Sequence, residues 1–303
     1  MRIAALSVDL DPLEHYHRIH GLRPPNGADP VYGKAAERFG ELCGRLGIAG
    51  TAFAVGDRLS DPLAASALRR LAREGHEVAN HSFSHDYRLA RLAREDIARE
   101  VRLGAAAVTE ATGRAPVGFR APGYALSGPL VQELASQGYR YDSSAFPAAP
   151  YYAAKALALV AMSVARRRSA AVLDRPRALL APRVPYRPDA DEPYARGGLD
   201  LLELPIATGV LGFPLIGTAV AALPGGLLRA LSAGTGSLPL FNLELHGTDL
   251  LDASDASPEL SAQRPDLRVP ARAKLERIEA FARFLSRDWV TLAEAARRLG
   301  APS

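Results

Sequence analysis

From residue 3 to residue 145 short apolar runs alternate with stretches of helical periodicity, and this rhythm constrains the fold more than any other feature of the chain. Ile3 to Val8, Thr51 to Val55 and Glu77 to Asn80 read as strands, and residues 33–46, 62–74 and 93–112 as helices. In the last helix Ile97, Val101, Ala105 and Val108 recur near helical spacing, and Gly113 stops the pattern. Phe119-Arg120 marks another strand end, 128–137 a helix, and Tyr139 to Asp142 a further strand. Alternating β and α units predict an α/β fold with a mostly parallel sheet, closed or partly closed into a barrel.

The rhythm breaks over 147–198, which reads as an inserted lid within one domain spanning 1–303. Tyr151 to Arg168 is expected to be an amphipathic helix ending in Arg166-Arg167-Arg168, and a Pro/Arg-rich stretch follows to Gly198. Leu201 to Pro205 resumes the barrel and opens an apolar segment, 204–232, whose residues 204–228 carry no charge. That length suffices to span a bilayer. Its three prolines, five glycines and the run Pro224-Gly225-Gly226 argue instead for a loop that covers the site or dips into a membrane surface. Leu240 to Leu245 is a late strand, 270–286 a helix, and Trp289 to Leu292 leads into the last helix.

Composition excludes several classes. With 303 residues, 48% hydrophobic and 23% charged, the chain is ordinary globular protein. Its net charge of +4 is spread along the sequence with no basic stripe interleaved with aromatics, so no nucleic-acid partner is expected. The lone Cys43 rules out an internal disulfide framework and a cysteine zinc ribbon. A strand beginning at Ile3 leaves no room for a signal peptide, so a cytoplasmic location is expected, at the inner face of the membrane if the apolar segment reaches it.

Two pieces far apart carry the chemistry. Ser7-Val8-Asp9-Leu10-Asp11 ends the first strand, and His81-Ser82-Phe83-Ser84-His85 follows the strand at 77–80. Two histidines four residues apart and one carboxylate supply three protein ligands and leave a position open for water, the arrangement of a catalytic metal site. The second carboxylate is free to take a proton. Arg120-Ala121-Pro122-Gly123, Tyr141-Asp142-Ser143-Ser144 and Leu243-Glu244-Leu245-His246 end later strands, where side chains of α/β sites gather. An Asp-x-Asp also serves the metal–nucleotide of glycosyltransferases, but there it follows a nucleotide-binding half-domain and would not stand at residue 9.

This order of motifs resembles the polysaccharide deacetylase family, the NodB-like carbohydrate esterases of family 4, over almost the whole chain. The resemblance implies a distorted, partly closed (β/α) barrel with an inserted lid. It implies Asp9 as general base, Asp11, His81 and His85 as metal ligands, Arg120 as the arginine that holds the base, and His246 as general acid. The family's Arg-Pro-Pro-Tyr-Gly reads Arg-Ala-Pro-Gly-Tyr here, which places the oxyanion-stabilising N–H at Gly123 and displaces Tyr124 by one. The Asp-Trp motif that orients the acid histidine has no clean equivalent, and Glu203 or Asp200 is its candidate substitute.

The implied reaction is metal-dependent removal of an acetyl or formyl group from an amino sugar. The implied cofactor is a divalent metal, zinc by default, with Co, Ni, Mn or Fe fitting the same ligands. His15 and His17, in a His-rich loop after Asp11, join Tyr124, Asp142 and Glu203 as candidate substrate contacts. The Arg-ended helix and the uncharged segment point to a lipid-linked or other membrane-associated glycan and to peripheral membrane contact. A soluble N-acetyl sugar, a non-sugar amide and a catalytically inactive glycan-binding module are the alternatives.

Overall fold

The computed structural model describes residues 2–24, 29–164, 172 and 174–300. Strand β1 (Ile3–Asp9) is buried throughout, and its pleat divides it by parity. Ala4, Leu6 and Val8 pack outward against helices, whereas Ile3 and Ala5 point into the barrel, and Ser7 and Asp9 continue that inner face. β7 (Leu240–His246) pairs with β1 along its whole length, from Ile3 opposite Leu240 to Asp9 opposite His246. A strand has two edges, so β2 (Thr51–Ala54) and β8 (Asp288–Trp289) share the other, β8 at Ile3–Ala4 and β2 at Ser7–Asp9.

Beyond β2 the sheet runs through β3 (Glu77–Asn80), β4 (Gly118–Phe119), β5 (Tyr141–Asp142) and β6 (Leu202–Glu203), every pairing parallel. The β6 side then curls back toward β7. The Ala207 N–H donates to the Asn242 carbonyl at 3.0 Å, and the Asn242 amide reaches the Leu204 carbonyl at 3.3 Å. The sheet is thus a partly closed barrel, as the β/α alternation predicts.

Helices α1 (Leu13–Ile19), α2 (Ala36–Leu46), α3 (Pro62–Arg73), α4 (Arg94–Thr112) and α5 (Gly128–Ser136) follow successive strands. α3 starts with Asp61 accepting from the Leu63 N–H and Pro62 in its first turn, while α2 and α4 end on left-handed Gly47 and Gly113. The later helices are α6 (Ala149–Val164), α7 (Gly217–Ala222), α8 (Gly225–Leu231), α9 (Pro258–Gln263), α10 (Ala271–Leu285) and α11 (Leu292–Gly300). α11 plugs the bottom of the barrel. Its Leu292 and Ala295 pack with Ile3, Ala5 and Phe53, and its first N–H donates to Thr51 Oγ1 at 2.9 Å.

Three expectations need correction. The His-rich stretch after Asp11 is the helix α1 and not a loop, because Leu13 and Tyr16 bury one face and Asp29 accepts from the Leu13 N–H at 2.7 Å. The helix expected over Tyr151–Arg168 spans Ala149–Val164, and Arg166–Arg168 lie outside the described residues. It is apolar nearly all round and not amphipathic: Tyr152 is its buried residue, while Leu157, Val160 and Val164 are 71%, 61% and 81% exposed. The uncharged segment folds into the short α7 and α8, parted at Pro224, and among the described residues no helix is long and apolar enough to cross a membrane.

Close packing at the barrel staves is testable at Gly118, where an added Cβ would lie 1.9 Å from the Tyr141 ring. Gly118→Ala is expected to cost about 1–3 kcal/mol through overpacking. Gly44→Ala in α2, where a Cβ meets nothing within 4 Å, is expected to gain up to about 1 kcal/mol. Thermal melts followed by circular dichroism should move in opposite directions for the two variants.

Candidate metal centre and its cavity

The carboxyl ends of the parallel strands converge on a cavity of about 550 Å³. β1 ends at Asp9, yet both Asp9 and Asp11 line this cavity. After β3 the chain turns sharply. Ser82 and His85 take left-handed backbone conformations (φ 62° and 55°), a strain that in this kind of residue persists only when the surroundings fix it. The turn is fixed by the Ser84 N–H and hydroxyl on Glu100 at 2.8 and 3.0 Å, and by the His85 N–H on Ser82 Oγ. The result folds His85 back beside His81, ring centroids 4.8 Å apart.

Both Nε2 atoms then face one carboxylate oxygen. Asp11 Oδ1 lies 3.1 Å from His81 Nε2 and 3.0 Å from His85 Nε2. Yet Asp11 Oδ1 and both ring nitrogens of His85 make no hydrogen bond among the described residues, although all are buried. Such orphaned atoms are costly unless something else satisfies them. His81 Nδ1 faces the Arg120 carbonyl at 2.7 Å, which leaves Nε2 as the free lone pair, the usual support of a metal-binding imidazole. Burial opposes ionisation of Asp11, but His85 and His81 hold its carboxyl well below the usual range. One carboxylate and two imidazoles, with donor atoms within 4.8 Å of one another, fit a divalent cation.

Asp9 belongs to a second, adjacent cluster. Arg120, fully buried, donates through Nη1 to Asp9 Oδ1 at 2.6 Å. Its other protons go to the Ser143 carbonyl at 2.7 Å, Ser143 Oγ at 2.9 Å and Ser7 Oγ at 3.1 Å, and its plane lies 4.1 Å from the Phe53 ring centre. His246 stands opposite Asp9 in the β1–β7 register. Its Nδ1 is 3.0 Å from Glu244 Oε1, and its Nε2 is 3.1 Å from the Tyr124 hydroxyl. Burial works against a charged ring there, and Glu244, with Asp11 and Asp9, more than reverses it, so the imidazole rises to about 9. Burial pushes the Glu244 carboxyl up to about 8, with His246 opposing.

The remaining expected residues fall into place as follows. Gly123 (φ 67°) and Tyr124 (φ 70°) form a strained turn that lines the cavity. It is Glu244, and not Glu203 or Asp200, that reaches His246. Glu203 accepts from the Ala145 N–H at 2.8 Å, and Asp200 is paired with Arg187 on the surface. Asp142 holds the Ser144 hydroxyl and N–H, so neither Asp142 nor Glu203 is among the cavity-lining residues. His17 bonds to the Leu13 carbonyl and Ser257, away from the cavity. His15 packs at a tilt against His85, ring centroids 4.6 Å apart, and burial lowers its imidazole to about 3.

Sequence reasoning passed over Glu244 and Lys155. Glu244 was detectable, since it lies two residues before His246 on a strand and must share its face. Lys155 lines the cavity from α6, and nothing in its local sequence separates it from a surface lysine.

Residues 29–141 match the family model of polysaccharide deacetylases. A peptidoglycan deacetylase of Helicobacter pylori is 30% identical over 90 residues, which cover 28% of this chain and 29% of that protein, so the match spans under a third of the curated relative. Among solved structures, a polysaccharide deacetylase from Mycobacterium smegmatis superimposes with a TM-score of 0.59 at 18% identity, covering 98% of this chain and 89% of that one. A family 4 acetyl xylan esterase from Clostridium thermocellum, in complex with a cobalt ion, superimposes with a TM-score of 0.51 at 17% identity, covering 99% and 93%.

Fold and cluster together define the class: a partly closed parallel barrel with a carboxylate–imidazole triad at the carboxyl ends of its strands. Within that class residues 29–141 carry the polysaccharide deacetylase match, and the fold is that of the polysaccharide deacetylase and family 4 esterase structures on which the chain superimposes.

The triad makes a direct prediction. Titration of metal-free protein with zinc or cobalt should show one tight site per chain. Asp11→Asn and His85→Ala should each weaken it by at least the roughly 10–100-fold that loss of a mere supporting partner costs. Two equivalent sites, or unchanged affinity in Asp11→Asn, would show that the triad is not the site.

Proposed function

We propose that the protein is a metal-dependent amide hydrolase that removes an acetyl or formyl group from the nitrogen of an amino sugar carried on a lipid. The observation that carries this reading is the placement of two adjacent clusters, Asp11/His81/His85 and Asp9/Glu244/His246, of which Asp9, Asp11, His81 and His246 line one cavity. Asp11, His81 and His85 would hold a divalent cation, which when bound would acidify a water and polarise the acyl carbonyl. Asp9 takes the proton of the attacking water, and the Arg120 guanidinium keeps it ionised and aimed. The Gly123 N–H supports the oxyanion from the turn it shares with Tyr124. His246, held protonated by Glu244 and steadied through Tyr124, delivers a proton to the departing amine.

The lipid part of the reading rests on the cavity wall. Phe213, Pro214, Ile216 and Leu223 line one side, and the exposed apolar stripe of α6 continues outward from Tyr151 and Ala154. Apolar surface beside a polar centre suits a glycolipid presented at a membrane surface. The Helicobacter pylori match favours a second reading, an N-acetylated glycan polymer.

The test is acetate and formate release from a lipid-linked N-acyl amino sugar, a soluble N-acetyl sugar and a glycan polymer, with zinc or cobalt supplied. The expected result is release from the lipid-linked substrate, reduced about 10²–10⁴-fold in Asp9→Asn. Release from the polymer alone would establish the second reading, and no release from metal-loaded protein would overturn both.

The proton inventory gives the pH dependence. A raised imidazole acts as an acid only while protonated, so kcat/KM should fall as pH rises through about 9. Glu244→Gln removes the charge that stabilises the imidazolium, so this basic limb should move to lower pH. A limb that stays in place would separate Glu244 from the acid.

A further inference from the structure

Lys155 occupies an unusual position. It is one of three lysines in the chain. Lys34 is paired with Asp255, and Lys274 donates to the Thr248 and Asp266 carbonyls, so both are committed to structure. Lys155 is half-buried in the wall of the cavity, and a Cβ built on Gly123 would lie 3.8 Å from its Nζ.

Among the described residues no carboxylate comes within ion-pair distance of Lys155, and its recorded neighbour is the Tyr151 ring at 5.7 Å. Arg264, the arginine on this cavity, is neutralised by two bonds to Asp266 at 2.7 and 2.8 Å, and His246 is paired with Glu244. Burial lowers the Lys155 ammonium to about 8, with Asp174 opposing, as expected of a cation held in apolar surroundings without a close counter-ion.

The lining of the cavity adds the second observation. Lys155 shares it with Gly123 and with the apolar Phe213, Pro214, Ile216 and Leu223. Its charge therefore stands where the polar end of the cavity at Gly123 meets an apolar lining. A molecule lying across that boundary has a sugar at one end, an apolar chain at the other, and a charged joint between them. A phosphate ester is the anion that makes such a joint, and a lysine meets it as a flexible point charge.

We propose that Lys155 forms an anion subsite that reads a phosphate ester on the substrate, one sugar away from the acyl group. This deepens the glycolipid reading and rests on it for the identity of the sugar end. Lys155 does not take part in the bond-breaking step. Its contribution is uniform binding, which appears in KM and leaves kcat unchanged.

The test uses the whole, metal-loaded chain with its lysines dimethylated by ¹³C-formaldehyde. This keeps their charge and confines lysine signals to at most three, the Lys155 signal being the one absent from Lys155→Ala. The probes are a soluble N-acetylhexosamine 1-phosphate, the corresponding lipid phosphodiester in detergent micelles, and neutral N-acetylhexosamine. The Lys155 signal should move with both phosphorylated probes and not with the neutral sugar. Saturation at lower concentration by the lipid form identifies a lipid-borne phosphate, and equal saturation a free sugar phosphate.

In the unmodified enzyme Lys155→Ala should raise KM for the phosphorylated substrate about tenfold with kcat unchanged, and Lys155→Arg should restore most of it. A signal indifferent to phosphate, or a KM increase equal for charged and neutral substrates, would overturn the subsite. A signal that moves while no acyl group is released would leave the subsite standing and remove the hydrolase reading.

Discussion

A single buried guanidinium holds this barrel to its chemistry. Arg120 at the end of β4 is out of contact with water, and a lone charge so placed would be prohibitively costly. It is tolerated because its donors are spent on Asp9, Ser7 and both oxygens of Ser143, and because its flat face lies on Phe53. The partners come from three parts of the sheet: Ser7 and Asp9 from β1, Phe53 from β2, and Ser143 just after β5. The same side chain thus fixes the direction of the Asp9 carboxylate and clamps the staves of the barrel together. Replacing it by lysine would keep the charge and lose the fork that makes those bonds simultaneous.

The inner face of the barrel is graded, and the grading follows from strand parity. At the bottom Ile3, Ala5 and Leu240 meet the plug of α11. One layer up, Ser7, Asn242 and Ser143 satisfy one another and Arg120. At the top stand Asp9 and His246, with Glu244 just beneath in register with Ser7. Polar atoms appear inside only where hydrogen bonds exist for them, or where, as at Asp11 and His85, a missing partner implies a ligand. Backbone strain gathers at the same level, in Ser82, His85 and Tyr124, as it does where geometry is held for function.

Much of this was legible in the chain itself. Strand β1 and helices α2 to α5 announce themselves through periodicity and caps, because local pattern and tertiary role agree there. The convergence of Asp9, Asp11, His81, His85, Arg120 and His246 could be read because parallel topology gathers strand ends. What local pattern could not settle was decided by packing. Residues 13–19 became a helix because Leu13 and Tyr16 had a core to enter, although their polar neighbours look like a loop. α6 reads as amphipathic only if its Arg run is counted with it, and its described part presents apolar residues to the outside. The partner of His246 was sought at Glu203 on a separate strand, although Glu244 on its own strand shares its face.

The threefold pairing of β1 bears on how the protein comes into being. The strand holding Asp9 precedes the other described strands, and β2 pairs its Ser7–Asp9 end, but its opposite edge waits for β7 and its Ile3–Ala4 end for β8, near the end of the sequence. Contacts so distant along the chain form late and slowly. Until they form, Asp9 has neither His246 opposite it nor a closed barrel around it. The nascent chain therefore passes through most of its length with the parts of a metal centre present but unassembled. The juxtaposition of Asp9 and His246, on this architecture, arrives all at once with closure and is not acquired by degrees.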